Sequence, residues 1–110
     1  MLIATRVLKL RRPDGEADVE VRIYAPVEDA GSWFCRYEID WPDRTRRLDA
    51  GGVDSAQALH HAMQMVGAEL YASEAHQAGE LFWDKPGNGF GFPVSRGIRD
   101  LLQGDDAKYL

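Results

Sequence analysis

Residues 54–73, DSAQALHHAMQMVGAELYAS, carry the strongest periodic signal in this chain. Leu59, Ala62, Met63, Val66 and Leu70 recur at three- and four-residue spacing, which places one apolar stripe on a helix. Asp54 is suited to the N-cap, and Gln57 three residues on completes a capping box. Val53 stands where a hydrophobic staple is expected, and Gly51 and Gly52 allow a sharp entry turn. Gly67 costs about 1 kcal/mol against alanine in a helix interior, so it marks a close packing contact. The stripe needs an apolar surface to lie on, and the rest of the chain must supply it.

Residues 2–11 alternate imperfectly and read as a strand. Pro13, Asp14 and Gly15 form a turn signal, since proline presets φ and glycine accepts positive φ. Val19, Val21, Ile23 and Ala25 then alternate with polar residues, and residues 28–31 read as a loop. Trp33, Cys35, Tyr37, Ile39 and Trp41 share one face of the clearest strand. A fourth, weaker strand is expected over residues 45–50, after a turn at Pro42 and Asp43. Such short links favour antiparallel neighbours, because parallel pairing needs long crossovers.

Four strands spaced about 4.8 Å apart are wider than one helix, which spans roughly 10–12 Å. The remaining cover must come from the last third of the chain. Leu81, Phe82, Trp83, Phe90, Phe92 and Val94 lie there, then Ile98, Leu101 and Leu102 on an expected short helix capped by Ser95 and stopped by Gly104. The expected fold is α+β: an antiparallel meander of about four strands packed on one long helix, with the glycine-aromatic segment and a short C-terminal helix completing the core.

The chain has 110 residues and a formal net charge of −5, which suits one domain, residues 1–110, and argues against nucleic acid. No run approaches the ~20 apolar residues of a membrane span, and Arg6 breaks any signal-peptide pattern at the start. A single cysteine leaves no internal disulfide. A cytoplasmic location is the expectation.

Four phrases occur in order: WFCRYEIDWP at 33–42, GVDSAQAL at 52–59, ELYASEAH at 69–76 and PGNGFGFPV at 86–94. Together they resemble a family of small uncharacterised bacterial proteins, a domain of unknown function. The resemblance implies no known activity and brings no established catalytic or binding residue, so function has to be read from the residues themselves.

The loop at 87–93 is the most unusual stretch. Gly87, Gly89 and Gly91 leave amides free to approach an anion closely. The loop lacks the Lys-Ser/Thr pair of a phosphate-binding P-loop and the flanking strand and helix of a dinucleotide site. The structural account is that the glycines serve backbone geometry while Phe90 and Phe92 plug the core. The functional account makes Gly87, Asn88, Gly89 and Gly91 a ligand site, with Tyr71, His76 or Glu80 beside it.

Other constellations are weaker. Adjacent His60 and His61 point about 100° apart, and no set has zinc-ligand spacing. Cys35 shares its face with Trp33 and Tyr37, an apolar setting that raises a thiol pKa. Glu38 and Asp40 project together but with Arg36, as a salt-bridged surface does. Arg44, Arg46 and Arg47 read as a charged edge, and Asp100, Asp105 and Asp106 as an acidic tail.

Two function classes follow. The leading expectation is a non-enzymatic protein-binding or regulatory module, immunity-like in one version. The alternative is a small-molecule binder or small enzyme with its site at the 87–93 loop. No metal or cofactor is expected, and a homo-oligomer remains open.

Overall fold

The computed structural model describes all 110 residues. The order is β1 (Leu2–Arg12), β2 (Gly15–Tyr24), β3 (Val27–Asp29), β4 (Ser32–Trp41), β5 (Arg44–Gly52), α1 (Ser55–Ala72), α2 (Glu74–Gln77), β6 (Leu81–Phe82), a 3-10 segment (Arg96–Leu101) and α3 (Gly104–Tyr109). The strands form one antiparallel sheet.

That sheet has six strands where four were expected. The two additions are the shortest. β2 and β3 both pair with the same edge of β4, and the register slips by one residue between them at Ala25 and Pro26. They are therefore one strand broken by a bulge, since proline cannot donate to the ladder. β6 adds two residues beside Lys9 and Leu10. Without these additions the four long strands are a meander, with consecutive strands adjacent.

The turns follow local chemistry. Pro13 and Asp14 link β1 to β2, and Gly15 follows at φ 136°. The turn between β3 and β4 is Ala30 and Gly31, with φ of 52° and 84°. Both values are left-handed, as a two-residue type I′ hairpin requires.

The apolar face of the sheet carries Leu8, Leu10, Val19, Val21, Ile23, Cys35, Tyr37, Ile39 and Ala50, all buried. Helix α1 lies on this face, chiefly over β5 and β4. The β1–β2 half is covered by the C-terminal segment, where Phe90, Phe92 and Val94 are buried. A Cβ on Gly67 would run into the carbonyl oxygen of Pro93, so the glycine lets this segment cross directly over the helix.

The expected stripe is buried at Ala62, Val66 and Leu70, but its contact line is shifted toward Ala58 and Tyr71. Ala58, Ala62, Val66, Leu70 and Tyr71 are buried, whereas Leu59 and Met63 are only half-buried at the flank. Half of the capping box forms: Gln57 donates its amide to Asp54 at 2.8 Å, but its side chain accepts at 2.8 Å from Val53, one residue before the cap. The staple does not, because Val53 is 79% exposed.

The expected C-terminal helix is also corrected. Residues 96–101 are a 3-10 segment kinked at Ile98, and Ser95 makes no side-chain cap bond. Gly104 does not stop a helix; it starts α3.

A candidate carboxylate socket at the glycine loop

The glycine loop follows β6. Gly87, Gly89 and Gly91 have φ of 85°, 84° and 75°, values that favour glycine. Alternating left-handed residues turn successive amides toward one side, which makes a concavity for an anion.

The anion is the chain's own. Asp106, on α3 and 3% exposed, points its carboxylate into this concavity. Phe90 donates its amide to Oδ2 at 2.8 Å, and Gly91 donates its amide to Oδ1 at 2.9 Å. The Tyr71 hydroxyl, from α1, donates to Oδ2 at 2.5 Å. Both carboxylate oxygens are thus engaged, which offsets the cost of burying a charge.

Arg6 braces the outside of the loop. It occupies an inward-facing register position on β1, opposite Val21, between otherwise apolar neighbours. Its Nη1 donates to the carbonyls of Phe90 at 3.2 Å and Gly91 at 2.9 Å. The guanidinium stands 3.9 Å from the Trp83 ring centre and 4.8 Å from that of Phe92. Burial pulls its pKa down, while the Asp106 charge pulls it up. A Cβ on Gly91 would meet Arg6 and Trp83, so this glycine makes room for the brace.

Aromatic rings close one side. Tyr71, His76 and Phe90 lie with ring centres 4.9 to 5.3 Å apart, His76 edge-on to the other two. Ser73 aims His76 by accepting its backbone amide at 3.1 Å at the start of α2. Burial lowers the His76 pKa, which favours its neutral form. Burial, and then the bond to Asp106, push the Tyr71 pKa well up, so the phenol stays a donor.

All six residues singled out from the sequence meet here. Tyr71, Gly89 and Gly91 surround the carboxylate, and His76 packs at its rim. Gly87 and Asn88 receive the start of α3: Asp105 donates its amide to the Asn88 carbonyl at 3.1 Å. Gly104, at φ 58°, passes so near the Asn88 backbone that a Cβ would collide with it. Glu80, also considered, pairs instead with Arg12 at 3.7 Å.

Two central residues escaped the sequence reading. Asp106 looked like part of an acidic tail, and no local pattern marks it. Arg6 did leave a signal, because a charge on the apolar side of a strand demands a partner.

The arrangement holds a carboxylate by both of its oxygens. It holds no nucleophile, and its one carboxylate has both oxygens occupied. No cluster of His, Cys, Asp or Glu can hold a metal ion. None of the four main surface clefts is lined by Tyr71, His76 or the loop glycines.

The remaining constellations resolve into paired groups. Glu38 accepts from Tyr24 at 2.6 Å, Arg22 at 3.0 Å and Arg47 at 2.5 Å. The Tyr24 hydroxyl, followed by Arg47, holds its carboxyl down at about 2. Arg46 pairs with Glu69 and Arg44 with Asp43, so the arginine cluster presents no free cationic patch. Cys35 is fully buried, its thiol donates to the Tyr24 carbonyl at 3.2 Å, and burial raises its pKa. His61 contacts the Gly51 carbonyl rather than sharing a ligand with His60. No helix is long and apolar enough to cross a membrane.

Comparison with curated proteins and with solved structures returns no match. A family model described as a domain of unknown function matches residues 4–94, a range that includes Arg6, Tyr71, His76 and the whole glycine loop but ends before Asp106. The chain therefore belongs to the DUF6968 family.

Proposed function

We propose that this protein is a non-enzymatic module that binds another protein in a bacterial cytoplasm, in a regulatory or immunity-like role, through the open face of its sheet. One observation carries the reading. The face opposite α1 stays exposed along Lys9, Asp18, Arg36, Arg47 and Asp49, and at one end it gathers exposed Met1, Val27 and Phe34. These three border an open cleft of about 480 Å³ with Tyr24, Glu38 and Arg47. An exposed apolar patch rimmed by charges is the usual form of a protein-docking surface. The rim is internally paired, Arg36 with Asp49 at 3.1 Å and Arg47 with Glu38, so it selects for a partner of mixed charge rather than a polyanion. The competing enzyme reading calls for a cavity beside the glycine loop, and the loop amides are spent on Asp106 instead.

The test is site-specific photocrosslinking in the native host. A photoreactive residue at position 34 should give one discrete adduct, and one at position 60, on the outer side of α1, should not. Val27→Asp should abolish the adduct while the far-ultraviolet circular dichroism is unchanged. Equal capture from positions 34 and 60, or an adduct indifferent to Val27→Asp, would remove the sheet face as the docking surface.

A further inference from the structure

The socket at the glycine loop is built wholly from residues 4–94, the part of the chain that the family model covers. Its occupant is not. Asp106 lies past that range, and of residues 95–110 only Leu102 and Asp106 are buried. Helix α3 has six residues and buries a single side chain. Apart from that carboxylate, the segment is tied to the domain by Leu102, by half-buried Ile98 against the core, by the close passage of Gly104 over Asn88, by the Asp105 amide on Asn88, and by a 3.4 Å bond from the Gln103 amide to Tyr71. The socket is therefore shaped around a carboxylate that a largely exposed peptide delivers.

We propose that the amides of Phe90 and Gly91 with the Tyr71 hydroxyl form a recognition site for an aspartate presented on a short peptide segment, and that residues 95–110 are its displaceable internal occupant. The specificity follows from the geometry. The two amides take one oxygen each, and the hydroxyl adds a second bond to Oδ2. Gly89 offers no Cβ, so the occupant's Cβ and carboxyl carbon pack directly on the loop backbone. The close approach of the occupant's Cβ to Gly89 favours the short side chain of aspartate over that of glutamate. This inference stands apart from the sheet-face reading, which uses the opposite surface.

The experiment uses the full chain carrying Asp106→Asn, which keeps the shape of the occupant and removes its charge. The probe is a synthetic peptide of residues 100–110, DLLQGDDAKYL, followed by amide resonances. The Phe90 and Gly91 signals should shift, with affinity about tenfold or more above that for the unsubstituted chain, whose socket is already filled. The peptide bearing Asp106→Asn should bind at least about tenfold more weakly. Equal binding to both chains, or no binding to the folded variant, would overturn the proposal.

A second measurement needs no variant. In the unsubstituted protein the Phe90 and Gly91 amides should exchange with solvent about 100-fold or more faster than the Ile39 amide, through local opening. Exchange at the Ile39 rate would mean that the segment leaves only on global unfolding, and the proposal would fall. Sedimentation at rising concentration then separates the sources. A dimer that is lost on Tyr71→Phe assigns the incoming aspartate to a second copy, and a persistent monomer excludes that source.

Discussion

The carboxyl group of Asp106 occupies the space that a β-carbon on Gly89 would fill. The two residues lie seventeen positions apart, and one is small because the other is there. Gly89 also sits at φ 84°, so two separate requirements fall on the same residue.

Gly89→Ala should therefore cost more than an ordinary left-handed glycine, about 1 kcal/mol. In an Asp106→Ala background the same change should cost only the backbone part. The coupling read from a double-mutant cycle by denaturant unfolding should fall at about 1–3 kcal/mol. Additive effects would show that the loop and α3 do not touch as described.

The helix register can be checked by truncation. Leu70 is fully buried and Leu59 is half-buried. Leu70→Ala should cost about 2–5 kcal/mol, within the range for core leucines. Leu59→Ala should cost clearly less, about 1 kcal/mol. Equal losses would put Leu59 on the contact line with Leu70.

Cys35 should resist thiol reagents in the native protein and react freely in denaturant. Burial both hides the sulfur and disfavours the thiolate, which is the reactive form. Native labelling at the denatured rate would contradict its position beneath the helix.

Stability should fall in acid through Glu38. Its folded pKa of about 2 lies below the roughly 4.3 of an unfolded glutamate. The unfolded state therefore takes up the proton first as pH drops. The contribution is complete above about pH 5 and is lost progressively toward pH 2. Glu38→Gln should flatten the unfolding midpoint against pH over this window, and an unchanged slope would show that the Tyr24 and Arg47 bonds do not persist in solution.

Ala30 is an alanine held at φ 52° in a tight hairpin. Ala30→Gly should raise stability by a few tenths to about 1 kcal/mol, since the left-handed conformation costs a residue with a β-carbon roughly 1–2 kcal/mol. A fall in the melting temperature would argue against the type I′ turn.

The sequence by itself determined the elements whose cause is local. The alternation from Trp33 to Trp41, the Asp54 cap with Gln57, and the turns at Pro13 and Pro42 are all decided within a few residues by dihedral preference and side-chain period. The antiparallel order followed from links too short for anything else, and the need for a second cover followed from the width of a sheet against that of one helix. Gly67 announced its close contact because glycine is costly in a helix unless something must pass it. Tertiary structure decided whatever depends on a distant partner. It put Ala58 on the contact line beside Ala62 and moved Leu59 and Met63 to its flank. Neighbouring helical positions differ by only about 100°, and small side chains let the helix approach the sheet while larger ones fill its flank. It made strands of residues 27–29 and 81–82, which have no pattern of their own and exist only beside β4 and β1. It also turned an aspartate in a charged tail into the buried centre of the glycine loop. A buried carboxylate and a solvated one look identical in a sequence; only the fold brings the Phe90 and Gly91 amides and the Tyr71 hydroxyl to the one that is buried.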